Sequence, residues 1–438
     1  MHKYTYLFIF AFLWSSCKVT KNIPKQTQMK IPRKIIVLDS SRNIYSALCE
    51  PSVTIDKTQP DNFVGGSIYN NVYVFSENQV KQSKLQSPFG VYGDPCLASD
   101  TKGHLYYLHL SNPDTEKVKN GYLIDRIVIQ RSDDHGKTWT QGTSIGNNPP
   151  KQQDKHWIGI DPKSGALAVT WTEFDQYESK NPEDKSRILF SRSDDFGNTW
   201  TKPVKINQLD GDCSDNDMTT EGAVPVFDNQ GNIYVAWAFN DKIYFDKSTD
   251  GGKTWLANDI VVADQPGGWV FDVPGIYRTN GLPVLAIDNS KGKYAGTLYV
   301  NWADQRNGEN DTDIFLSKSI DGGKTWSKPI KVNTDSTRTH QFLTWMSVDS
   351  ATGFIYIIYY DRSKYTDNKT DVVLAVSRDG GKTFVTKTIS NRPFIPVKAA
   401  FFGDYNNIDA FNGTIVPIWT EMNHRQISIK TKIIKENQ

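Results

Sequence analysis

An all-β chain made of repeated four-stranded units, arranged as a propeller, is what this sequence predicts, and three observations carry the prediction. One octapeptide pattern, S-x-D-x-G-x-T-[WF], occurs five times, at residues 132–139, 193–200, 248–255, 319–326 and 377–384. Its aromatic ends, Trp139, Trp200, Trp255, Trp326 and Phe384, stand 55 to 71 residues apart, a spacing that marks a repeat architecture. Seven stretches each read as an apolar strand ending in Asp and a turn, followed by a second strand rich in β-branched and aromatic residues. A ring of such short strands uses 438 residues in a single domain.

Taken in order, the chain begins with Lys3 and an apolar run over 4–14, too short to span a bilayer, which reads as a secretory signal. Ser15, Ser16 and Cys17 follow, and residues 13–17 (LWSSC) resemble the lipobox of bacterial lipoproteins. That resemblance implies cleavage before Cys17, lipidation of its thiol, membrane contact only through this anchor, and an outer-membrane or cell-surface location. Residues 1–17 are thus a signal peptide, and 18–32, rich in Lys, Thr, Gln, Asn and Pro, are a flexible tether. Residues 33–438 are the propeller domain.

The seven units open at 51–56, 95–100, 157–161, 223–228, 283–288, 344–349 and 404–409. In the middle five a third strand leads into the octapeptide, and a fourth follows, as over 328–332. The last unit has three strands, ending with 426–431. A lone apolar stretch at 33–38 (RKIIVL) supplies its fourth, closing the ring and leaving no exposed edge. The count favours seven blades, with six as the alternative.

Inside the octapeptide, Ser and Asp side chains can bond backbone N–H groups of a tight turn, Gly takes a positive φ, and the aromatic end returns apolar surface to the sheet. These residues resemble the Asp-box, or BNR repeat, of sialidases, sortilin-type receptors and other β-propellers. Asp134, Asp195, Asp250, Asp321 and Asp379 therefore read as structural.

Composition excludes several function classes. Lys and Arg number 50 against 49 Asp and Glu, so there is no basic footprint for nucleic acid. Cys49, Cys96 and Cys213 form no C-x-x-C pair, and no metal site is expected; one disulfide is open to an exported chain, with no pairing assigned. The acidic loop 210–217 (DGDCSDND) lacks the Gly and Glu positions of a calcium loop and reads as a solvated loop. Nucleotide and metalloprotease motifs are absent, so no cofactor is expected. Aromatic residues make up 12% of the chain, which suits stacking on sugar rings as well as β packing. A monomer with a glycan ligand is expected.

Candidate site residues gather where a propeller converges, in loops before the inner strands and after the second strands. Before the inner strands stand Glu50, Asp94, Asp154, Lys155, His156, Trp157, Glu221, Asn280, His340, Phe342, Asp404 and Tyr405. After the second strands stand Glu173, Asp175, Asp304, Arg306, Asp361, Arg362 and Glu421. As structural residues these would cap strands, with Asp304/Arg306 and Asp361/Arg362 as interblade ion pairs. The sialidase resemblance implies arginines gripping a substrate carboxylate, a Tyr nucleophile activated by a Glu, and an Asp acid. On that pattern Arg306 and Arg362 bind the carboxylate, Tyr405 or Tyr360 attacks, Glu221 or Glu421 is its base, and Asp94 is the acid. A third arginine is not evident, and the Arg-Ile-Pro signature is replaced by Ile31-Pro32-Arg33 in another order. Two alternatives stand beside hydrolysis: a His/Tyr-dependent polysaccharide lyase or hydrolase using His156, His340, Tyr405 and Arg306, and a non-catalytic glycan- or protein-binding propeller whose rim aromatics are Trp157, Trp269 and Phe342.

Overall fold

The computed structural model describes residues 31–122 and 124–436. The signal, Cys17 and most of the tether lie outside the described residues. Seven antiparallel blades follow one another around a central channel, six of four strands and the seventh of four with Ile434–Lys435 added to its second strand. Their inner strands are Ser52–Ile55, Gly93–Ser99, Gln152–Ile160, Glu221–Phe227, Val284–Ile287, Gln341–Val348 and Asn407–Phe411, which number the blades 1 to 7. Trp171, Trp237, Trp302 and Trp419 lie on the second strands of blades 3, 4, 5 and 7 and are fully buried, so indoles fill space between sheets.

The N-terminal strand closes the ring. Ile36–Ser41 pairs antiparallel with Gln426–Thr431 as the outermost strand of blade 7. It lies three residues beyond the apolar stretch expected to form it. An outermost strand needs only one anchored side chain, here the fully buried Leu38, and backbone pairing with 427–431 sets its register. On the inner side, Ile55 N–H of blade 1 donates to Asp409 Oδ2 of blade 7 at 2.8 Å.

Each octapeptide is a closed turn. In blade 2, Ser132 Oγ donates to Asp134 Oδ1 and accepts from Gly136 N–H, while Thr138 Oγ1 donates to Asp134 Oδ2 at 2.6 Å. The Asp195, Asp250, Asp321 and Asp379 turns repeat the Thr contact at the same length. The aromatic end reaches the preceding blade: Trp255 meets Phe190 edge-on at 5.0 Å and Trp326 meets Phe245 at 5.2 Å. That contact requires the glycine before it, since a Cβ on Gly252, at φ 88°, would stand 2.2 Å from the Phe190 ring. Blade 1 uses instead a two-residue turn, Glu77–Asn78, with both φ values positive.

Antiparallel order puts the Asp-boxes at one end of the channel and the starts of the inner strands at the other. His135 of the blade 2 box bonds Asp56, in the turn after the inner strand of blade 1, at 2.6 Å.

Candidate functional site

At the mouth opposite the boxes, four inner strands begin with a bulge. Their registers slip between Gly93 and Cys96, Asp154 and Trp157, Glu221 and Val224, and Phe342 and Trp345. Within these bulges Asp94, Lys155, Gly222 and Leu343 have φ values of 50°, 48°, 74° and 48°, and Glu50, before the first inner strand, has φ 51°. Left-handed backbone costs a residue with a Cβ about 1 kcal/mol or more, and it recurs where a side chain must be re-aimed. The conformation turns Glu50, Asp94 and Lys155 toward one another.

Lys155 is the hub. Its Nζ lies 2.9 Å from Asp404 Oδ2 and 3.4 Å from Asp94 Oδ2, joining blades 2, 3 and 7. Arg278, from the connection before blade 5, clamps Asp404 from the other side: Nε donates to Oδ1 at 2.8 Å and Nη2 to Oδ2. The Arg278 guanidinium also lies 3.5 Å from Asp215, which accepts from Tyr177 Oη at 2.8 Å. Asp404 N–H donates to Glu50 Oε1 at 3.2 Å, and its carbonyl accepts from Asn280 Nδ2 at 2.9 Å. A 126-residue span separates Arg278 from Asp404. They meet at the channel mouth.

Burial and charge drive these carboxyls apart in acidity. Burial alone would raise Asp404, but Lys155 and Arg278 outweigh it and hold the group at about 2. Burial pushes Asp154 up to about 7, moderated by Lys155 and increased by Asp94. Glu50 is raised well above the ordinary range by burial and then by Asp94 and Asp404, and Glu221 by burial and then by Asp215. Both Glu221 oxygens are buried without a well-formed hydrogen bond. The mouth therefore holds protonated and ionised carboxyls side by side, the division of labour that acid–base chemistry needs.

Below the charges sits an aromatic plug. Trp157 and Trp345 have ring centroids 4.3 Å apart, and Tyr405 meets Trp157 edge-on at 5.3 Å. Beneath it a cavity of about 270 Å³ continues to the Asp-box end.

Several expected residues are in this cluster and several are not. Asp94, Asp404 and Glu221 line the mouth. Tyr405 forms part of the plug, donates to Pro95 O at 3.2 Å, and is raised by burial and then by Asp94 and Glu50; its surroundings are those two acids, whereas Glu221 neighbours Asp215, Lys155 and Asp154. Tyr360 is buried with its hydroxyl on Thr420 O. Arg306 forks onto Asp304 within its own blade and packs over Phe315 at 4.1 Å. Arg362 does not pair with Asp361: it donates to Pro274 O and Thr370 Oγ1 and lies over Phe342, while Asp361 accepts from Ser363 and Gln341. Neither pair is an interblade ion pair: Arg306 and Asp304 close on each other within blade 5, two residues apart, and Arg362 is taken up by other acceptors. His156 is buried beside Trp157 and His340 bonds Thr312 at 2.9 Å; burial pushes each to about 4. Glu421 pairs with Lys430.

Trp157, Trp269 and Phe342 are all buried and not rim aromatics: Trp157 is in the plug, Trp269 donates to Thr219 O, and Phe342 packs between Tyr360 and the Arg362 guanidinium. The loop 210–217 is not merely solvated: Asp215 joins the mouth, Asp217 accepts from Val270 N–H at 2.7 Å, and Cys213 is fully buried. The three described cysteines are free. Arg278, Asp215 and Tyr177 are absent from the sequence-derived set. Arg278 lies two residues before Asn280, a loop position already singled out, so a wider window there would have found it. Among the described residues no group of three His, Cys, Asp or Glu is placed to hold a metal ion.

Fold and mouth define an Asp-box β-propeller with a charged channel entrance. The BNR/Asp-box repeat model matches residues 130–141, the blade 2 box. Over 220 residues the chain is 28% identical to a xyloglucanase of Paenibacillus sp, covering 49% of this chain and 19% of that protein. Over 194 residues it is 29% identical to xyloglucanase Xgh74A of Acetivibrio thermocellus, covering 40% and 21%. The chain thus spans about a fifth of the length of these relatives. Among solved structures, a PL25 ulvan lyase bound to -[GlcA(1-4)Rha3S]- superposes with a TM-score of 0.55 at 12% identity, over 92% of this chain and 96% of that one. The NanB sialidase of Streptococcus pneumoniae gives 0.50 at 11%, over 86% and 84%. These two likenesses are of fold.

Proposed function

We propose that the protein hydrolyses glycans at the charged mouth, with Asp154 as proton donor and the Asp404 carboxylate, held by Lys155 and Arg278, as its ionised counterpart. The observation that carries this reading is the split in acidity between Asp404 and Asp154 on either side of Lys155. A carboxyl near 7 still holds a proton to give to a leaving oxygen at neutral pH. The relatives' names, xyloglucanase twice, support a glycan as the ligand class.

A sialidase-type grip is less well supported, because Arg306 and Arg362 are each committed to internal partners, leaving Arg278 as the guanidinium at the mouth. A panel of xyloglucan, uronate and sialylated oligosaccharides, assayed for reducing-end or sialic acid release, tests the reading. Release from at least one substrate, lost in Asp154→Asn, is expected. Binding without release by the wild type would leave a non-catalytic glycan receptor.

A further inference from the structure

We propose that a basic cleft between blades 6 and 7 binds the acidic groups of an anionic glycan, carboxylate or sulfate; this rests on the reading that the mouth face handles glycans. The cleft has a volume of about 450 Å³ and lies between the 392–395 connection and the 421–425 turn. Its cations are Lys369, Arg392 and Arg425, and His424 lies beside them. Its one acid, Glu421, is already neutralised by Lys430, and Lys369 has Asp367 at 3.0 Å. Arg392 and Arg425 have no ion-pair partner among the described residues.

Two guanidiniums without ion-pair partners, lining one concave site, match planar oxyanions, which accept the guanidinium fork in paired hydrogen bonds. Pro393 and Ile395 add apolar wall for the faces of sugar rings. The chain's net charge is only +1, so the positive charge is local to the cleft and not a general polyanion field.

Cleft and mouth are ends of one segment. Phe394 of the cleft packs on Phe402 at 6.0 Å, two residues before Asp404, and Arg278 lies over Phe401 at 5.5 Å. Both sites face the end of the ring away from the Asp-boxes, so a glycan seated in the mouth can extend over this segment into the cleft.

Calorimetry on the soluble chain with three probes of equal length tests this: oligogalacturonate, a heparin-derived sulfated oligosaccharide and a neutral xyloglucan oligosaccharide. At least one acidic probe should bind about tenfold more tightly than the neutral one, and Arg392→Ala/Arg425→Ala should abolish that preference without shifting the unfolding temperature or neutral binding. Equal affinity for all probes, a preference that survives the double variant, or equally tight binding of polyglutamate would overturn the proposal. If nothing is hydrolysed yet the acidic preference persists and is lost in the double variant, the cleft stands and the hydrolase reading falls.

Discussion

Arg278 holds Asp404 through two hydrogen bonds while Lys155 Nζ reaches the same carboxylate at 2.9 Å, so one buried acid ties together residues from three separate parts of the ring. Asp404→Asn leaves Lys155 with Asp94 alone and frees Arg278. Removing one partner of a buried ion pair costs about 3–5 kcal/mol. Chemical denaturation should show a loss of that order, with blade 7 the first region to gain amide exchange.

The same carboxylate gives the fold an acid-sensitive joint. Its folded acidity lies below the unfolded value of about 3.8, so the stabilisation is complete above that value and is lost as pH falls toward about 2. Unfolding midpoints measured from pH 5 down to pH 2 should fall for the wild type, and fall less for Asp404→Asn.

Asp154 predicts the opposite limb. With its carboxyl at about 7 and the protonated form as donor, turnover should decline as pH rises through about 7. Asp154→Asn should lose most activity, and any residual rate should lack that limb. An unchanged alkaline limb in the variant would assign the titration to another group.

The architecture was legible in the sequence because the octapeptides, the Asp-ended strands and the unpaired N-terminal stretch are local patterns whose arithmetic favours seven blades over six. Much of the mouth was legible for the same reason: Glu50 and Asp404 stand just before inner strands, and Asp94, Lys155 and Glu221 in the first residues of theirs. Arg278, Asp215 and Tyr177 were hidden because they sit in irregular connections, and only the folded path of those loops brings them to Asp404. Arg306 and Arg362 showed the converse limit. Their spacing from a box was right for a ligand grip, but Asp304 and the Pro274 carbonyl were not visible as competitors.

Box glycines offer a test confined to the far end. Gly252→Ala combines positive φ with a methyl 2.2 Å from Phe190, and strain with overpacking should cost about 2–4 kcal/mol. Thermal unfolding should move down while turnover below the transition stays unchanged, since the box faces away from the mouth.

Ring closure can be tested through Leu38, the fully buried residue of the outermost strand of blade 7. Leu38→Ala should cost about 2–4 kcal/mol in denaturant unfolding.

A crystal structure of Asp154→Asn soaked with a glycan that the wild type cleaves bears most directly on where the chemistry lies. The sugar should be found at the mouth, within hydrogen-bond reach of Asp94 and Arg278 and above the Trp157–Trp345–Tyr405 plug. Density for it in the cavity at the Asp-box end, with the mouth empty, would contradict the account.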